Sequence, residues 1–228
     1  MAKPPSRRST SGEIAGFLQQ SRNIQAFVAK QPRLIFAIDA TASRQPTWDH
    51  AVHLQRDMFL ASRDIAALSV QLCFYRGLAE FRASPWIGDT ERLAQEMSQV
   101  YCEGGHTQIA RTLKHALGQH RDNPVRALVF IGDAMEESPG ALVDLAAQCG
   151  MLKLPLFLFQ EGQQPEVEQV FRRMARVSGG AWARFDNASA ESLRQLLGAV
   201  ARYAAGGRKA LEKNPSQSAK LLLEQIDR

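Results

Sequence analysis

The fold of this chain is decided by a short stretch near its amino-terminal end, which reads Leu34-Ile35-Phe36-Ala37-Ile38-Asp39-Ala40-Thr41-Ala42-Ser43. A run of five apolar residues with Phe and Ile among them is typical of a strand that is buried on both faces of a sheet. The run ends abruptly at an acid, so Asp39 is predicted at the carboxyl end of that strand. Open α/β sheets place their ligands beside the carboxyl ends of their strands. This stretch therefore predicts both a parallel core strand and the position of a site.

Two hydroxyl side chains, Thr41 and Ser43, follow Asp39 at alternate positions. On a loop that leaves the strand, this spacing allows the three side-chain oxygens to converge on one point. One carboxylate and two neutral hydroxyls suit a hard cation such as Mg²⁺, which takes few charged protein ligands and keeps several waters. The pattern thus makes these three residues candidate metal ligands.

Three separate segments carry a resemblance to a known family. The pattern Asp39-x-Thr41-x-Ser43 resembles the D-x-S-x-S metal-site motif of the von Willebrand factor A (VWA) domain family, also called the integrin I-type domain. That family also has a threonine in a glycine-containing loop before a helix, which residues 104–113 resemble, and an aspartate that ends the next core strand, which residues 127–133 resemble. The segments have the order and spacing of the family, and the resemblance extends over residues 33–205.

The resemblance implies a metal-ion-dependent adhesion site (MIDAS) that holds Mg²⁺, with Mn²⁺ or Ca²⁺ as alternatives. By their positions in the motifs, its metal ligands would be Asp39, Thr41, Ser43, Thr107 and Asp133. In the family such a site leaves the coordination shell incomplete, and a carboxylate from a protein partner completes it. The implied function is non-enzymatic, cation-dependent protein binding in an intracellular assembly. Intracellular bacterial-type relatives often work with ring ATPases or in metal-insertion and stress-related complexes, which are the partner classes that the resemblance suggests.

The chain departs from the family pattern at three places. Thr41 stands where the family usually has serine, which keeps the hydroxyl but restricts its rotamers. Gly132-Asp133-Ala134 replaces the usual Thr-Asp-Gly, so the turn after the acid lacks a permissive glycine. His106 lies between a pair of glycines and Thr107. Every ligand atom is retained, but the metal preference stays open, and so does an interpretation in which the chain is a degenerate VWA scaffold that binds no metal.

An enzymatic alternative is a haloacid-dehalogenase-like phosphatase. In that interpretation Asp39 would be the nucleophile, and Asp133, Glu136 and Glu137 would hold Mg²⁺. That family usually has a second aspartate two residues after the nucleophile as acid and base, and this position is Thr41, which is poorly suited to proton transfer. The chain also lacks a G-x-S-x-G elbow, a G-x-x-x-x-G-K-[ST] phosphate loop and a G-x-G-x-x-G segment after a strand. The sequence therefore favours a binding module over an enzyme.

Segments with strand and helix character alternate along the chain, which predicts an α/β fold with a mostly parallel sheet. A predicted hairpin over residues 68–83 supplies one antiparallel edge strand. By the resemblance, the sheet is doubly wound in a Rossmann-like VWA fold, with helices on both faces. We expect a basic arm with an amphipathic helix over residues 1–30, a VWA-like domain over residues 31–206, and a mobile or partner-bound tail over residues 207–228.

A further helix is predicted directly after the metal-site motif, where Pro46 and Thr47 begin an apolar stripe. It carries His50 and His53, which are three positions apart, whereas a helical zinc pair usually lies four positions apart. Because no third ligand is nearby in the sequence, these histidines are interpreted as surface residues.

Composition limits the function classes. The 228 residues include three cysteines that lie far apart, which argues against a disulfide framework and against a zinc site. Residues 1–30 carry a net charge of +4 and residues 206–228 carry +2, whereas the central part is at −1 and predicts no basic face for nucleic acid. No stretch has the roughly 18 apolar residues of a membrane span, and residues 1–10 are followed by no signal-peptide core. We therefore expect a cytoplasmic protein that has no membrane span and does not bind nucleic acid.

Overall fold

The computed structural model describes Ile14, Gly16 and residues 31–44, 68–185 and 190–226. The amphipathic helix expected before residue 31, apart from two isolated positions, and the helix expected after Pro46 with His50 and His53 lie outside the described residues. In the described part of the chain, no helix is long and apolar enough to span a membrane.

The described residues build a six-stranded sheet. Its strands are β1 (Arg33–Asp39), β2 (Ser69–Arg76), β3 (Glu80–Ala83), β4 (Val125–Gly132), β5 (Leu156–Glu161) and β6 (Ala181–Phe185). They lie in the order β3-β2-β1-β4-β5-β6. Every neighbouring pair is parallel except β2 and β3, which form the antiparallel hairpin at one edge. The prediction of a mostly parallel sheet with one antiparallel edge strand is confirmed.

Helices cover both faces of the sheet, as expected. They are α1 (Thr90–Ser98), α2 (Ile109–Asp122), α3 (Pro139–Met151), α4 (Pro165–Ser178), α5 (Ala190–Glu212) and α6 (Gln217–Ile226). Side chains of α1, α5 and α6 share one apolar core with alternate residues of the strands, and side chains of α2, α3 and α4 share a second core on the other face. Successive residues of a strand point to opposite faces, so a strand between two helix layers has to be apolar at every position.

The inner strand β1 follows this rule and positions the site. Residues 34–39 are all buried, and the apolar ones alternate between the two cores. β1 pairs with β2 on one side and β4 on the other, so that Asp39 lies opposite Tyr75 and Ile38 lies opposite Ile131. The carboxyl ends of β1 and β4 therefore meet beside Asp39, and so does that of β2.

The carboxyl-terminal segment is part of the same packing. Gly207 interrupts the helical geometry of α5 with φ 67° and ψ −164°, and the helix then continues. Three side chains beyond this break are buried in the core that α5 covers: Leu211, Ala219 and Leu222. The described part of residues 207–228 thus differs from the mobile or partner-bound tail that we expected, because its apolar stripe packs against α5 and β6. The domain boundaries themselves stay predictions.

Candidate metal site

Asp39 lies at the centre of the candidate site and is completely buried. Its Oδ1 accepts a hydrogen bond of 2.8 Å from the backbone N–H of Thr41, and its Oδ2 accepts one of 2.9 Å from the hydroxyl of Tyr75. The pairing of β1 with β2 holds Tyr75 opposite Asp39, so the register of the sheet supplies this donor. Sequence reasoning missed Tyr75, because no local pattern links it to an acid 36 residues away.

The two hydroxyls of the metal-site motif lie together. After the strand, Ala42–Arg44 form a single 3₁₀ turn that bends the loop back. The Oγ1 atom of Thr41 and the Oγ atom of Ser43 are 3.1 Å apart, which is a hydrogen-bonding distance. The structure therefore brings Asp39, Thr41 and Ser43 together on one loop.

Thr107 precedes α2 and is held by two acids that follow Asp133 along the chain. Its hydroxyl donates to Glu137 Oε2 at 2.5 Å and accepts from the backbone N–H of Glu136 at 2.9 Å. The backbone N–H of Thr107 donates to Glu136 Oε2 at 3.1 Å, and Nδ1 of His106 lies 2.8 Å from the same oxygen. A hydroxyl oxygen has two lone pairs, so these bonds leave one of them for a cation.

Glu136 and Glu137 therefore hold the threonine loop against the loop that follows β4. The phosphatase interpretation places both acids on Mg²⁺, whereas in the structure Glu136 binds the threonine loop and Glu137 binds Thr107 and the N–H of Ala110. Ala110 lies in the first turn of α2, where backbone N–H groups have no partner within the helix and favour an acid. The sequence signal for this role is an acid pair that begins three residues after a strand-ending aspartate.

Asp133 directly follows the last residue of β4. Its Oδ1 atom is shielded from solvent and has no hydrogen-bond partner among the described residues. Asp133 also lies within electrostatic range of Asp39. A shielded carboxylate oxygen without a donor is costly to maintain, so this atom has the environment expected of a metal ligand.

Burial raises the pKa of Asp39 above its ordinary value, because a buried charge loses its hydration. Hydrogen bonds from Thr41 and the positive charge of Arg44 oppose this rise in pKa, whereas the negative charge of Asp133 adds to it. The protein thus compensates the charged form of Asp39 only in part. A cation shared by Asp39 and Asp133 would supply the compensation that is missing.

Among the described residues, Thr107 has no hydrogen bond to the Asp39 loop. The two loops are joined instead by the backbone, because the N–H of Glu103, just before the threonine loop, donates to the carbonyl of Ala40 at 3.0 Å. The five candidate ligands therefore belong to three neighbouring groups, which are the Asp39 loop, the Thr107 loop and Asp133.

The donor set fits a hard divalent cation. Two carboxylates and three hydroxyls are all oxygen ligands, which Mg²⁺, Mn²⁺ and Ca²⁺ prefer to nitrogen or sulfur. In the part of the chain that the structure describes, no group of three or more His, Cys, Asp or Glu side chains could hold a metal. A metal site at this edge would therefore depend on the hydroxyls of Thr41, Ser43 and Thr107 as much as on its two acids.

Three solved structures show what this fold is similar to. The VWA domain of SpRpn10 superposes with a TM-score of 0.55 at 12% identity, over 81% of this chain and 96% of that domain. An aerotolerance-related membrane protein from Bacteroides fragilis gives a TM-score of 0.57 at 14% identity, over 72% of this chain and 96% of that one. Proximal thread matrix protein 1 from the mussel byssus, with a zinc-occupied MIDAS motif, gives a TM-score of 0.61 at 10% identity, over 76% of this chain and 46% of that one.

The chain has the von Willebrand factor A fold. No family model matches the sequence, and no curated protein matches it either. Identities of this size establish the fold alone, so ligands and partners have to be argued from the site. The resemblance carried by the three sequence segments is confirmed at the level of the fold.

The structure explains one departure from the VWA pattern. Gly132 stands before Asp133, where VWA domains usually carry threonine. A Cβ atom at Gly132 would lie 2.9 Å from the ring of Phe130 and 3.4 Å from the Cβ of Asp39. Phe130 fills part of the space that a larger side chain would need, so a threonine at this position would have to displace the ring of Phe130.

Arg44 directly follows the metal-site motif and is a buried charge that sequence reasoning missed. Its Nε donates to Glu161 Oε2 at 2.8 Å, and its Nη1 donates to the backbone carbonyl of Asp39 at 2.7 Å. Glu161 ends β5, which is two strands away from β1. This ion pair ties the metal-site loop of the VWA fold to the far side of β4. An acid at the end of an apolar strand is the signal that could have revealed it.

The threonine loop packs against the β2–β3 hairpin without space for a side chain. A Cβ atom at Gly105 would lie 1.8 Å from the carbonyl oxygen of Gly77, and the N–H of His106 donates to the same oxygen at 3.2 Å. A Cβ atom at Gly104, by contrast, would have no atom within 4 Å. Gly105 therefore sets the position of the loop that carries Thr107, whereas Gly104 does not contribute to this contact.

Proposed function

We propose that this protein is a non-enzymatic module that binds a protein partner through a divalent cation held at the edge of its VWA fold. The observation that carries the proposal is the pair of acids at that edge. Asp39 is buried with its charge only partly compensated, and Asp133 has a shielded oxygen without a partner among the described residues. One cation bound to both carboxylates would compensate the charge of Asp39 and give the shielded oxygen of Asp133 a partner.

The proposed ligands are Asp39, Thr41, Ser43, Thr107 and Asp133. Mg²⁺ is the first choice because it takes few charged ligands and keeps several waters, with Mn²⁺ or Ca²⁺ as alternatives. A water on such an ion can be exchanged for a carboxylate. The proposed partner therefore presents an exposed acidic side chain, and the cation bridges the two proteins.

We place the module in the cytoplasm, in an assembly of the ring-ATPase, metal-insertion or stress-related kind. The support for this setting is the resemblance to intracellular bacterial-type VWA proteins. Neither nucleic acid nor a membrane surface is part of the proposal, since the central part of the chain has no surplus of basic residues.

Thermal unfolding tests the cation. A ligand that binds only the folded state stabilises it by about 2.7 kcal/mol at a free concentration of 100 times its Kd. Mg²⁺ should raise the Tm, EDTA should reverse the shift, and Asp39→Ala and Asp133→Ala should abolish it. Asp144→Ala is the matched control, because Asp144 is an exposed acid on α3, and it should respond like the wild type. An equal shift in Asp39→Ala would place the ion elsewhere, and no shift in the wild type would favour the degenerate scaffold.

Partner binding is tested by pull-down in Mg²⁺ and in EDTA. A partner that uses the site should be captured by the wild type in Mg²⁺ only, and not by Asp39→Ala. The phosphatase alternative is tested with small phosphomonoesters, and turnover that disappears in Asp39→Asn would replace the binding module by an enzyme. The hydrogen bonds that Glu136 and Glu137 make to Thr107 argue against that alternative.

A further inference from the structure

A cavity of about 590 Å³ opens at the end of the sheet opposite to Asp39. It lies where β4 begins, between the ends of α2 and α3 and the break in α5. A strand rises about 3.3 Å per residue, so β4 separates this cavity from the metal-site edge by roughly 20 Å. Pockets of this volume hold small molecules in other proteins. The cavity is therefore a candidate site that is independent of the cation.

The ionisable side chains that line the cavity are His120, Arg126, Lys153 and Tyr203, and no acid is among the lining residues. The side chains of Arg126 and Lys153 are exposed, and neither side chain has a hydrogen bond or ion pair in the part of the chain that the structure describes. Two cations that share one concave surface without a counter-charge create a positive potential there. This potential favours an anionic ligand.

Lys153 also has an unfavourable backbone conformation. Its φ is 59°, which is the left-handed region that glycine adopts without strain. The turn is fixed by backbone hydrogen bonds from Lys153 N–H to the Gly150 carbonyl and from Leu154 N–H to the Cys149 carbonyl, both 2.9 Å long. Helices commonly end with a glycine at such a position. A lysine here adds a charge to the cavity at a cost in stability, which is the pattern found at ligand-binding positions.

Two explanations exist for the basic side chains at this cavity, ligand binding and ordinary helix capping, and the position of Arg126 distinguishes between them. Basic side chains near the carboxyl ends of helices are stabilised by the helix dipole, and this explains His120 and would explain Lys153. Arg126 is instead the second residue of β4, so it is not part of either helix end. Its guanidinium lies within electrostatic range of the Tyr203 hydroxyl, which is a further donor at the cavity.

We propose that this cavity binds a small phosphate-bearing molecule. A guanidinium can hold a phosphate through two parallel hydrogen bonds, a lysine adds a point charge, and a tyrosine hydroxyl adds a donor. Arg126, Lys153 and Tyr203 supply these three groups. The site is separate from Asp39, so its ligand binds whether or not a cation is present.

Calorimetric titration with inorganic pyrophosphate tests this site. About 150 mM salt screens weak electrostatic attraction of pyrophosphate to the protein surface. EDTA is present so that no divalent cation can bridge pyrophosphate to Asp39. We expect saturable binding with a Kd below about 1 mM, and the same Kd in Asp39→Ala. Arg126→Gln should weaken binding about 10-fold or more. Arg121→Gln is the matched control, because Arg121 is exposed on α2 outside the cavity lining, and it should bind like the wild type.

Lys153→Gly gives the sharper result. Glycine accepts the positive φ without strain, so this variant should have a higher Tm than the wild type and at the same time bind pyrophosphate more weakly. A lysine that only ends the helix would not affect pyrophosphate binding. The proposal is overturned by the absence of saturable binding, by wild-type affinity in Lys153→Gly, or by an equal loss in Arg121→Gln. Binding to vesicles that contain phosphatidic acid, without binding of free pyrophosphate, would also overturn it in favour of a membrane surface.

Discussion

The side chain of Gln225 hydrogen-bonds to both backbone groups of Trp182. Its Oε1 accepts from the Trp182 N–H at 2.9 Å, and its Nε2 donates to the Trp182 carbonyl at 2.9 Å. Trp182 lies on β6, which is the edge strand of the described sheet on the side opposite the hairpin. The side-chain amide of Gln225, on α6, thus occupies the position that the backbone of a further strand would take. An open sheet edge invites pairing with another chain, and α6 covers this one.

Gln225→Ala should lower the free energy of unfolding by about 1–3 kcal/mol, because both backbone groups of Trp182 lose their partner. Urea unfolding measures this change, and light scattering should show more aggregation as the edge of β6 becomes available. Glu224→Ala is the matched control, since Glu224 is exposed on the same helix and its loss should change stability by less than about 0.5 kcal/mol. Equal urea midpoints for the two variants would show that Gln225 does not protect the edge.

Gly105→Ala should destabilise the protein by about 1–3 kcal/mol and weaken Mg²⁺ binding, because the added methyl group overlaps the Gly77 carbonyl and has to displace the threonine loop. Gly104→Ala is its control one residue earlier, where the methyl group meets no atom, and it should leave both properties unchanged. Chemical unfolding and the Mg²⁺-dependent Tm shift measure the two effects. The same Tm shift in both variants would mean that this loop does not contribute to the cation site.

Asp39→Asn should raise the Tm of the cation-free protein and abolish its response to Mg²⁺. The asparagine oxygen can accept from the Thr41 N–H, and its amide can donate to the Tyr75 hydroxyl, so both hydrogen bonds are retained without a buried charge. A lower Tm for the variant in EDTA would show that the protein compensates the charge of Asp39 by itself.

The same variant should change how stability depends on pH. Burial raises the pKa of Asp39 above its ordinary value of 3.8, so the folded state keeps a proton that the unfolded state has already lost. The stabilisation from this proton is fully present below about pH 4 and is lost as the pH rises through the raised pKa of the folded protein. In EDTA, the Tm advantage of Asp39→Asn should therefore grow from about pH 4 towards neutral pH. A constant difference over that range would contradict the raised pKa.

Arg44→Met should lower the free energy of unfolding by about 3–5 kcal/mol, because the buried carboxylate of Glu161 loses its counter-charge. The double variant Arg44→Met with Glu161→Leu should recover most of this loss, since no unpaired charge is then left in the interior. Arg194→Met removes one member of an exposed ion pair and is expected to have no measurable effect. A double variant as unstable as Arg44→Met alone would show that the bond from Arg44 to the Asp39 carbonyl, rather than the ion pair, is what stabilises the loop.

Local pattern was enough to predict much of the fold. Residues 34–38 form a strand buried on both faces because an apolar run of that length has no exposed position, and Asp39 ends the strand because an acid ends the run. The packing of the described part of residues 207–228 was not predicted, because Leu222 and its neighbours form a stripe that packs against α5 and against β6, which is distant in the sequence. A stripe shows that a helix packs against something, but it does not identify the surface.

By itself, the sequence determined the strand, the loop with Thr41 and Ser43 behind it, and the VWA resemblance, because each depends on residues that are close along the chain. Only the tertiary structure decided what surrounds Asp39. Tyr75 lies 36 positions away from Asp39, and Glu161 lies 117 positions away from Arg44. Such contacts depend on strand register and on which strand ends meet, and these are set by packing both faces of the sheet at once. Whether a buried carboxylate is compensated is therefore a property of the folded chain and not of its motif.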